Sequence, residues 1–420
     1  MLDSVGSRRG GSHNRIGAIW RKNQPGSASS EPAPSQVWAI AVLTATVLTA
    51  PFAGAFGALA YIGPLMVGVG VLLNALSRRN ATGIPPSPGP VLLATWLVFT
   101  TLVTALFSVQ AEVAPLVLVG LVALTGCLAA SYYRSAGDLR RVESTILVTS
   151  SVTAIAFISF AGPRVLGGGT NSWTLIYENS TWINSNTLGL VFAIAIGAGV
   201  GRSLRTDRRR LLPVLAVALC MGALALTFSR SAYLAAGAIL LLVLVGKRKS
   251  FLLFLPLLLV GYANLPMAVQ DRVAYTTSGA GGLDASSSVR LELWEAALAI
   301  ARDNPLLGVG FHSIRPALAE YGAPAGLAFP HNTYLTLLLG TGAITFAIVM
   351  VWMGRYFARL VRQSHREPAG PAWTRLLPLT AALVCSFFGE PLLSPIPTVM
   401  LVALLAAPYA RSASGRSNDL

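Results

Sequence analysis

The chain has 420 residues, of which 54% are hydrophobic and only 11% charged, and its mean hydropathy is +0.64. A soluble chain carries about a quarter charged residues, so this composition cannot cover a water-facing surface and describes a polytopic membrane protein. The 31 Lys+Arg against 16 Asp+Glu leave a net charge of +15, which in a soluble protein would point to nucleic acid and in a membrane protein has to be read position by position.

Residues 1–36 are basic and then rich in Ser, Pro and Gly, and read as a disordered cytoplasmic tail rather than a cleavable leader. A helix crossing about 30 Å of hydrocarbon needs about 20 mostly apolar residues. Runs of that kind, bounded by charge, Pro or Gly clusters, predict twelve spans: 37–54, 57–76, 90–108, 114–133, 143–161, 186–201, 211–228, 231–246, 250–269, 332–354, 375–390 and 395–410. Only the stretch from Pro51 to Gly57 separates the first two, and a re-entrant pair would look the same. Residues 37–410 form the transmembrane domain in this reading, and 411–420 a second cytoplasmic tail. Cys127, Cys220 and Cys385 each lie inside an apolar run, as small side chains facing lipid or core, so neither a disulfide framework nor a metal knuckle is readable.

With an even number of spans the termini share a face. Placing each charge on this map puts 25 of the 31 Lys+Arg on the face of the termini and leaves six, Arg164, Arg230, Arg272, Arg290, Arg302 and Arg315, on the other. The positive-inside rule makes the first face cytoplasmic. Losing or adding one helix would scatter the later basic loops over both faces, so the asymmetry also supports the number twelve. The +15 then orients the chain and contacts anionic lipid; it does not indicate nucleic acid.

The spans hold almost no ionisable residue away from their ends, which weighs against an ion-coupled transporter. Polar character gathers on the outer face, above all in the connection 270–331. Within it, VRLELWEAALAIARDNP has helical periodicity, with Ser residues ahead to cap it and Pro305 behind. At 100° per residue Glu292, Glu295 and Arg302 share one stripe; Leu291, Trp294, Ala297, Leu298 and Ala301 share another, with Arg290 among them. Arg290 stands in the first turn, where the helix dipole disfavours a cation. Either its stem snorkels beside Trp294 or it joins the helix start in holding a phosphate.

Downstream, PLLGVGFHS carries Gly308 and Gly310 without a preceding strand, so a tight turn is expected there rather than a dinucleotide loop. In AFPHNTYLTLLLGTG, Asn332 is placed to cap the tenth span, leaving His331 at the outer aqueous boundary. A neutral imidazole suits a general base for a hydroxyl; its bland reading is an interfacial hydrogen-bonding residue. In LTFSRSAYLA, Arg230 lies between two apolar runs with almost no loop and needs an anionic partner: Glu390, Glu112 or a lipid phosphate. In TWINSNTLGL, Asn184 and Asn186 mark the outer entry of the sixth span, where capping alone explains them.

INSNTLGL, then SRSA between two spans, then a long outer loop with VRLELWEAALAIARDNPLLGVG, then HNTYLTLLLGTG opening a span: this order over about 180–350 resembles the O-antigen ligase and polymerase-like family of bacterial envelope glycosyltransferases. The resemblance implies an all-α polytopic enzyme of the plasma (inner) membrane with about 12 transmembrane helices, both termini cytoplasmic and an outer catalytic loop at 270–331 between spans nine and ten. It implies transfer of a glycan from an undecaprenyl-pyrophosphate-linked donor to a hydroxyl of a glycolipid or glycan acceptor, without metal or other cofactor. By motif position its catalytic residues are His331, Arg290 and Arg230, with Asn332, Asn186, Trp294 and Tyr334 expected at the substrate. Many relatives carry an acid in the tenth span where this chain has Gly340. Ligase, repeat-unit polymerase and protein O-glycosyltransferase remain open, as do two readings of other classes: a flippase or transporter of lipid-linked sugars, and a non-catalytic membrane scaffold.

Overall fold

The computed structural model describes residues 136–166, 184–205, 211–247, 285–324, 329–368, 370–390, 392 and 395–405. The predicted spans 37–54, 57–76, 90–108, 114–133 and 250–269, both tails and Cys127 lie outside the described residues. Those described form helices, with no strand among them: α1 (Ala136–Leu166), α2 (Ser185–Ser203), α3 (Leu211–Leu226), α4 (Arg230–Lys247), α5 (Ala285–Asp303), a 3-10 turn (Phe311–Ser313), α6 (Ile314–Glu320), α7 (Thr333–Arg366), α8 (Trp373–Phe387) and α9 (Pro395–Leu405). Each of the seven predicted spans that falls among the described residues coincides with a helix. Stretches within α1, α2 and α7 are long and apolar enough to cross a membrane; α3, α4 and α8 are shorter apolar helices.

The bundle is organised around α2. From Leu188 to Ala198 its residues are all buried, the pattern of a helix that is apolar all round and enclosed by others. It packs on α1, α3, α4, α8 and α9, and small residues set how closely. A Cβ on Gly197 would stand 2.7 Å from the backbone nitrogen of Pro378, and one on Gly201 2.6 Å from that of Thr374. In a bilayer, where lipid tails are as apolar as leucine, such close backbone approach replaces the hydrophobic effect as the source of helix association. The free thiols of Cys220 and Cys385 lie buried in this core.

A second core joins α5, α6 and the start of α7 through Leu293, Ala296, Ala297, Ile300, Ile314, Leu318 and Leu339. Its buried face on α5 keeps part of the stripe the wheel suggested, with Ala297 buried and Trp294 and Ala301 packed against the core, but Leu291 and Leu298 are each 45% exposed. The row Val289, Leu293, Ala296, Ile300 outcompetes them because it meets α6 and α7, which a wheel of one helix cannot include. The helix also begins at Ala285, so Ser286, Ser287 and Ser288 lie in its first turn rather than ahead of it.

Helix α7 is broken at Gly342 (φ 74°, ψ 171°). The groups freed by the break are taken up by the turn after α5: the Ala343 amide donates to the Pro305 carbonyl (2.8 Å) and the Val309 amide to the Leu339 carbonyl (2.8 Å). A Cβ on Gly308 (φ 68°) would run into the Leu339 carbonyl, and one on Gly342 into the Leu306 carbonyl. The expected tight turn is thus a backbone-to-backbone dock, and GVG and GTG are its two halves. Inside a bilayer this satisfaction is required, since no water replaces a missing partner.

Candidate active site

Four helix ends meet at one end of the bundle: the starts of α2, α4 and α7 and the end of α8. The α2 start is capped by Asn184, whose side chain accepts from the Asn186 amide (2.8 Å). Asn186 Oδ1 in turn accepts from the hydroxyls of Ser229 (2.9 Å) and Ser231 (3.3 Å), which tie the α4 start to α2. The Cys385 thiol donates to the Ser231 carbonyl (3.6 Å), joining α8 to the same point. Phe228, just ahead of this SRS turn, has φ 57°. For a non-glycine residue that conformation costs about 1–2 kcal/mol, which the surrounding contacts must hold. Arg230 therefore starts α4 on a backbone set by its serine neighbours, and its Nη2 donates to Ser286 Oγ (2.9 Å) at the beginning of α5.

Ser286, Arg290 and Trp294 form one ridge of α5, each a helical turn beyond the last. At its far end Trp294 Nε1 donates to the Pro330 carbonyl (2.9 Å), and its ring meets Phe387 edge-on at 5.6 Å. The ridge thus reaches from Arg230 to the residue before His331, with Arg290 in its middle. Arg290 has an electrostatic or hydrogen-bonding partner of its own. The helix orientation, not sequence proximity, gathers the three expected catalytic residues.

His331 has φ 52°, the second left-handed non-glycine residue among those described, and it too sits at this end. Its Nδ1 lies 3.1 Å from Glu390 Oε2, with the imidazole 42% exposed and the carboxyl 11%. The other carboxyl oxygen, Oε1, accepts from the Asn332 amide (2.8 Å) and the Thr336 hydroxyl (3.3 Å). The Thr333 amide and hydroxyl both donate to the Gly389 carbonyl (3.0 and 2.8 Å), so the end of α8 is strapped to the start of α7. A carboxylate can only accept, so in the tautomer that donates from Nδ1 to Glu390 it is Nε2 that carries the free lone pair. Glu390, considered in the sequence as a counter-charge for Arg230, faces His331 instead, and Arg230 bonds Ser286. The signal for this was weak: an acid at an outer helix end, 59 positions from the histidine it holds.

The four residues expected at the substrate all have polar groups engaged within the protein. Asn332, 4% exposed, caps α7 by accepting from the Tyr334 and Leu335 amides (2.9 and 3.2 Å). The Tyr334 hydroxyl donates to the Leu383 carbonyl (2.8 Å) and its ring tilts against Phe387. Asn186 and Trp294 are engaged as described above. Among the described residues no group of three or more His, Cys, Asp or Glu is placed to hold a metal ion.

Position 340, a glycine where the resemblance leads one to expect an acid, is filled from outside: a Cβ there would lie 2.5 Å from Phe311 Cε1. The ring occupies the space an acidic side chain would need.

The segment from α3 to the first half of α7, which supplies the α4 and α7 starts and α5 to this end, coincides with one family model. Residues 215–350 match the family described as O-antigen ligase. No match is found among the curated proteins. The O-antigen ligase match contains Arg230, Arg290 and His331, while Asn186 and Glu390 lie beyond its ends. The match covers about a third of the chain, and it falls in a protein whose described helices include stretches long and apolar enough to cross a membrane; over that segment the chain is similar to the O-antigen ligases.

Proposed function

We propose that the protein transfers a glycan from an undecaprenyl-pyrophosphate-linked donor to an acceptor hydroxyl at the outer surface of the plasma membrane. The observation that carries this is the oriented His331 beside an arginine-bearing ridge, within the segment matching the O-antigen ligases. Nε2 of His331 takes the proton of the acceptor hydroxyl while its oxygen attacks the anomeric carbon. The bond from that carbon to the pyrophosphate oxygen breaks in the same displacement, inverting the centre and releasing undecaprenyl pyrophosphate. Arg230 and Arg290 stabilise the charge that grows on the leaving oxygens, and their fixed positions make that stabilisation specific to the transition state. Glu390 steadies the imidazolium that forms.

The basic end of the bundle, with Arg202, Arg205, Arg359, Arg362, Arg366 and Arg375, is the cytoplasmic one in this reading, and both chain termini lie on its side. The topology of twelve spans completes it.

The test is single-turnover transfer by purified protein in detergent, with a preformed lipid-linked donor and a glycan or glycolipid acceptor. Wild type forms product, and Arg230→Ala, Arg290→Ala and His331→Ala each lose about 100-fold or more of the rate while remaining folded and membrane-inserted. Because detergent offers no second compartment, product formation excludes a flippase. Silent substitutions at all three positions would leave only a scaffold. Single units added to the acceptor mark a ligase, and lengthening of lipid-linked chains a polymerase.

A further inference from the structure

The turn that docks into the α7 break carries two large apolar side chains that the described residues leave uncovered. Leu306 is 62% exposed and Leu307 73%. They belong to a polar segment, with the charged Arg302 and Asp303 and the amide of Asn304 just ahead, so water would be the default neighbour of such a turn. Its place beside α7 says otherwise.

Along α7 the exposed residues Ile344, Ile348, Val351, Arg355, Arg359, Arg362 and Arg366 fall within one sector of the helix about 80° wide at 100° per residue. One stripe is therefore apolar for two turns and then becomes purely basic. The apolar part is what acyl chains cover, and Arg355 marks where headgroups begin. From Ala343 to Gly354 there are 12 residues, or about 18 Å of helix, well short of the roughly 30 Å of hydrocarbon. The hydrocarbon must continue about 10 Å beyond Gly342, towards Leu335. Leu306 and Leu307, held at the level of Gly342, then lie inside it and extend the exposed band of Ile344, Ile348 and Val351.

We propose that the 304–307 turn is a membrane-inserted tip whose partner is the acyl chains of the outer leaflet. The charges beside it are accommodated. Arg302 lies about one turn nearer the surface, within snorkelling reach, and the Asp303 carboxylate accepts from the Tyr321 hydroxyl. Leu298, two turns further up the outward face of α5, reaches the interface, where the exposed Glu295 and Glu292 beside Leu291 meet headgroups and water. The tip fixes the depth of α5, and so holds Arg290 at the height where the pyrophosphate of a lipid-linked donor lies. This last consequence rests on the proposed function; the insertion does not.

The experiment is a spin label at Leu307→Cys, in a chain with Cys127, Cys220 and Cys385 replaced by Ala. It is reconstituted without substrate into vesicles of phosphatidylethanolamine and phosphatidylglycerol. Relaxation by oxygen should exceed relaxation by a water-soluble nickel chelate several-fold, as at Val351→Cys and opposite to Glu320→Cys. Relaxation mainly by nickel would place the tip in water. Weak relaxation by both would bury it in protein. Either result overturns the proposal. Leu306→Cys gives an independent reading should the first label perturb folding. Depth is read without turnover, so a protein that transfers no glycan still decides the matter, and a water-exposed tip leaves the transfer reaction untouched.

Discussion

Nδ1 of His331 lies 3.1 Å from Oε2 of Glu390, across 59 positions of sequence, and leaves Nε2 as the nitrogen not engaged with that carboxyl. Replacing the carboxylate by its amide keeps the shape and removes the charge that steadies an imidazolium. Glu390→Gln should therefore lower transfer by about 10-fold or more, with KM for acceptor little changed. His331→Ala should cost about 100-fold or more, and in that background Glu390→Gln should add almost nothing. Rates measured for the four forms of this cycle check it. Additive losses would mean that Glu390 acts only by strapping α8 to α7.

The dock between Gly308 and Gly342 gives a prediction about stability rather than rate. At both positions φ is positive and a Cβ would strike a backbone carbonyl, so neither neighbour can turn aside. Gly322 has φ 80° as well, but open space around it. Gly322→Ala should cost only the left-handed backbone term of about 1 kcal/mol, while Gly342→Ala and Gly308→Ala should cost more than about 2 kcal/mol. Melting temperatures in one detergent rank the three variants. Equal shifts would show that the carbonyl contacts relax freely.

Position 340 offers a direct trial of why this chain lacks an acid there. Phe311 sits where the side chain would go, so Gly340→Asp should reduce folded yield sharply. Phe311→Ala opens that space at the cost of its own packing. The double variant should be more stable than the sum of the two single losses, a coupling of about 1 kcal/mol or more. A strictly additive result would mean that Phe311 and residue 340 do not compete.

What the sequence makes legible follows from the range of each signal. Apolar run length is local, and α2, α3 and α4 fall within two residues of the expected bounds. Capping is local too, so Asn332 at the start of α7 was readable from Pro330, His331 and the run that follows. The face of α5 was readable only in part, through Trp294, Ala297 and Ala301, because Leu293 and Ile300 win burial over Leu291 and Leu298 only once Ile314 and Leu339 are beside them. Two glycines 34 positions apart do not announce that their backbones touch, and neither Glu390 nor Ser286 carries in its own neighbourhood the identity of the side chain it meets. Residue types at the site were visible where chemistry demands them; the pairings arise only from how helices pass one another.

At the opposite end of the bundle, Arg205 grips the buried Glu143 with both terminal nitrogens (2.7 and 3.1 Å) and also donates to the Thr374 hydroxyl (2.7 Å). This joins α1 and α8 through the segment after α2, about 24 Å along α2 from the level of Asn186. Removing one partner strands the other, so Arg205→Met should destabilise by about 3 kcal/mol through a buried carboxylate without its guanidinium. Replacing both, as in Glu143→Leu with Arg205→Met, removes the unpaired charge and should recover most of that loss. Thermal melts of the wild type, Arg205→Met and the double variant measure this. Transfer by the folded fraction should be unchanged in each, since no residue of the clamp reaches the His331 end. A fall in transfer per folded molecule would show instead that the two ends are mechanically coupled along α2.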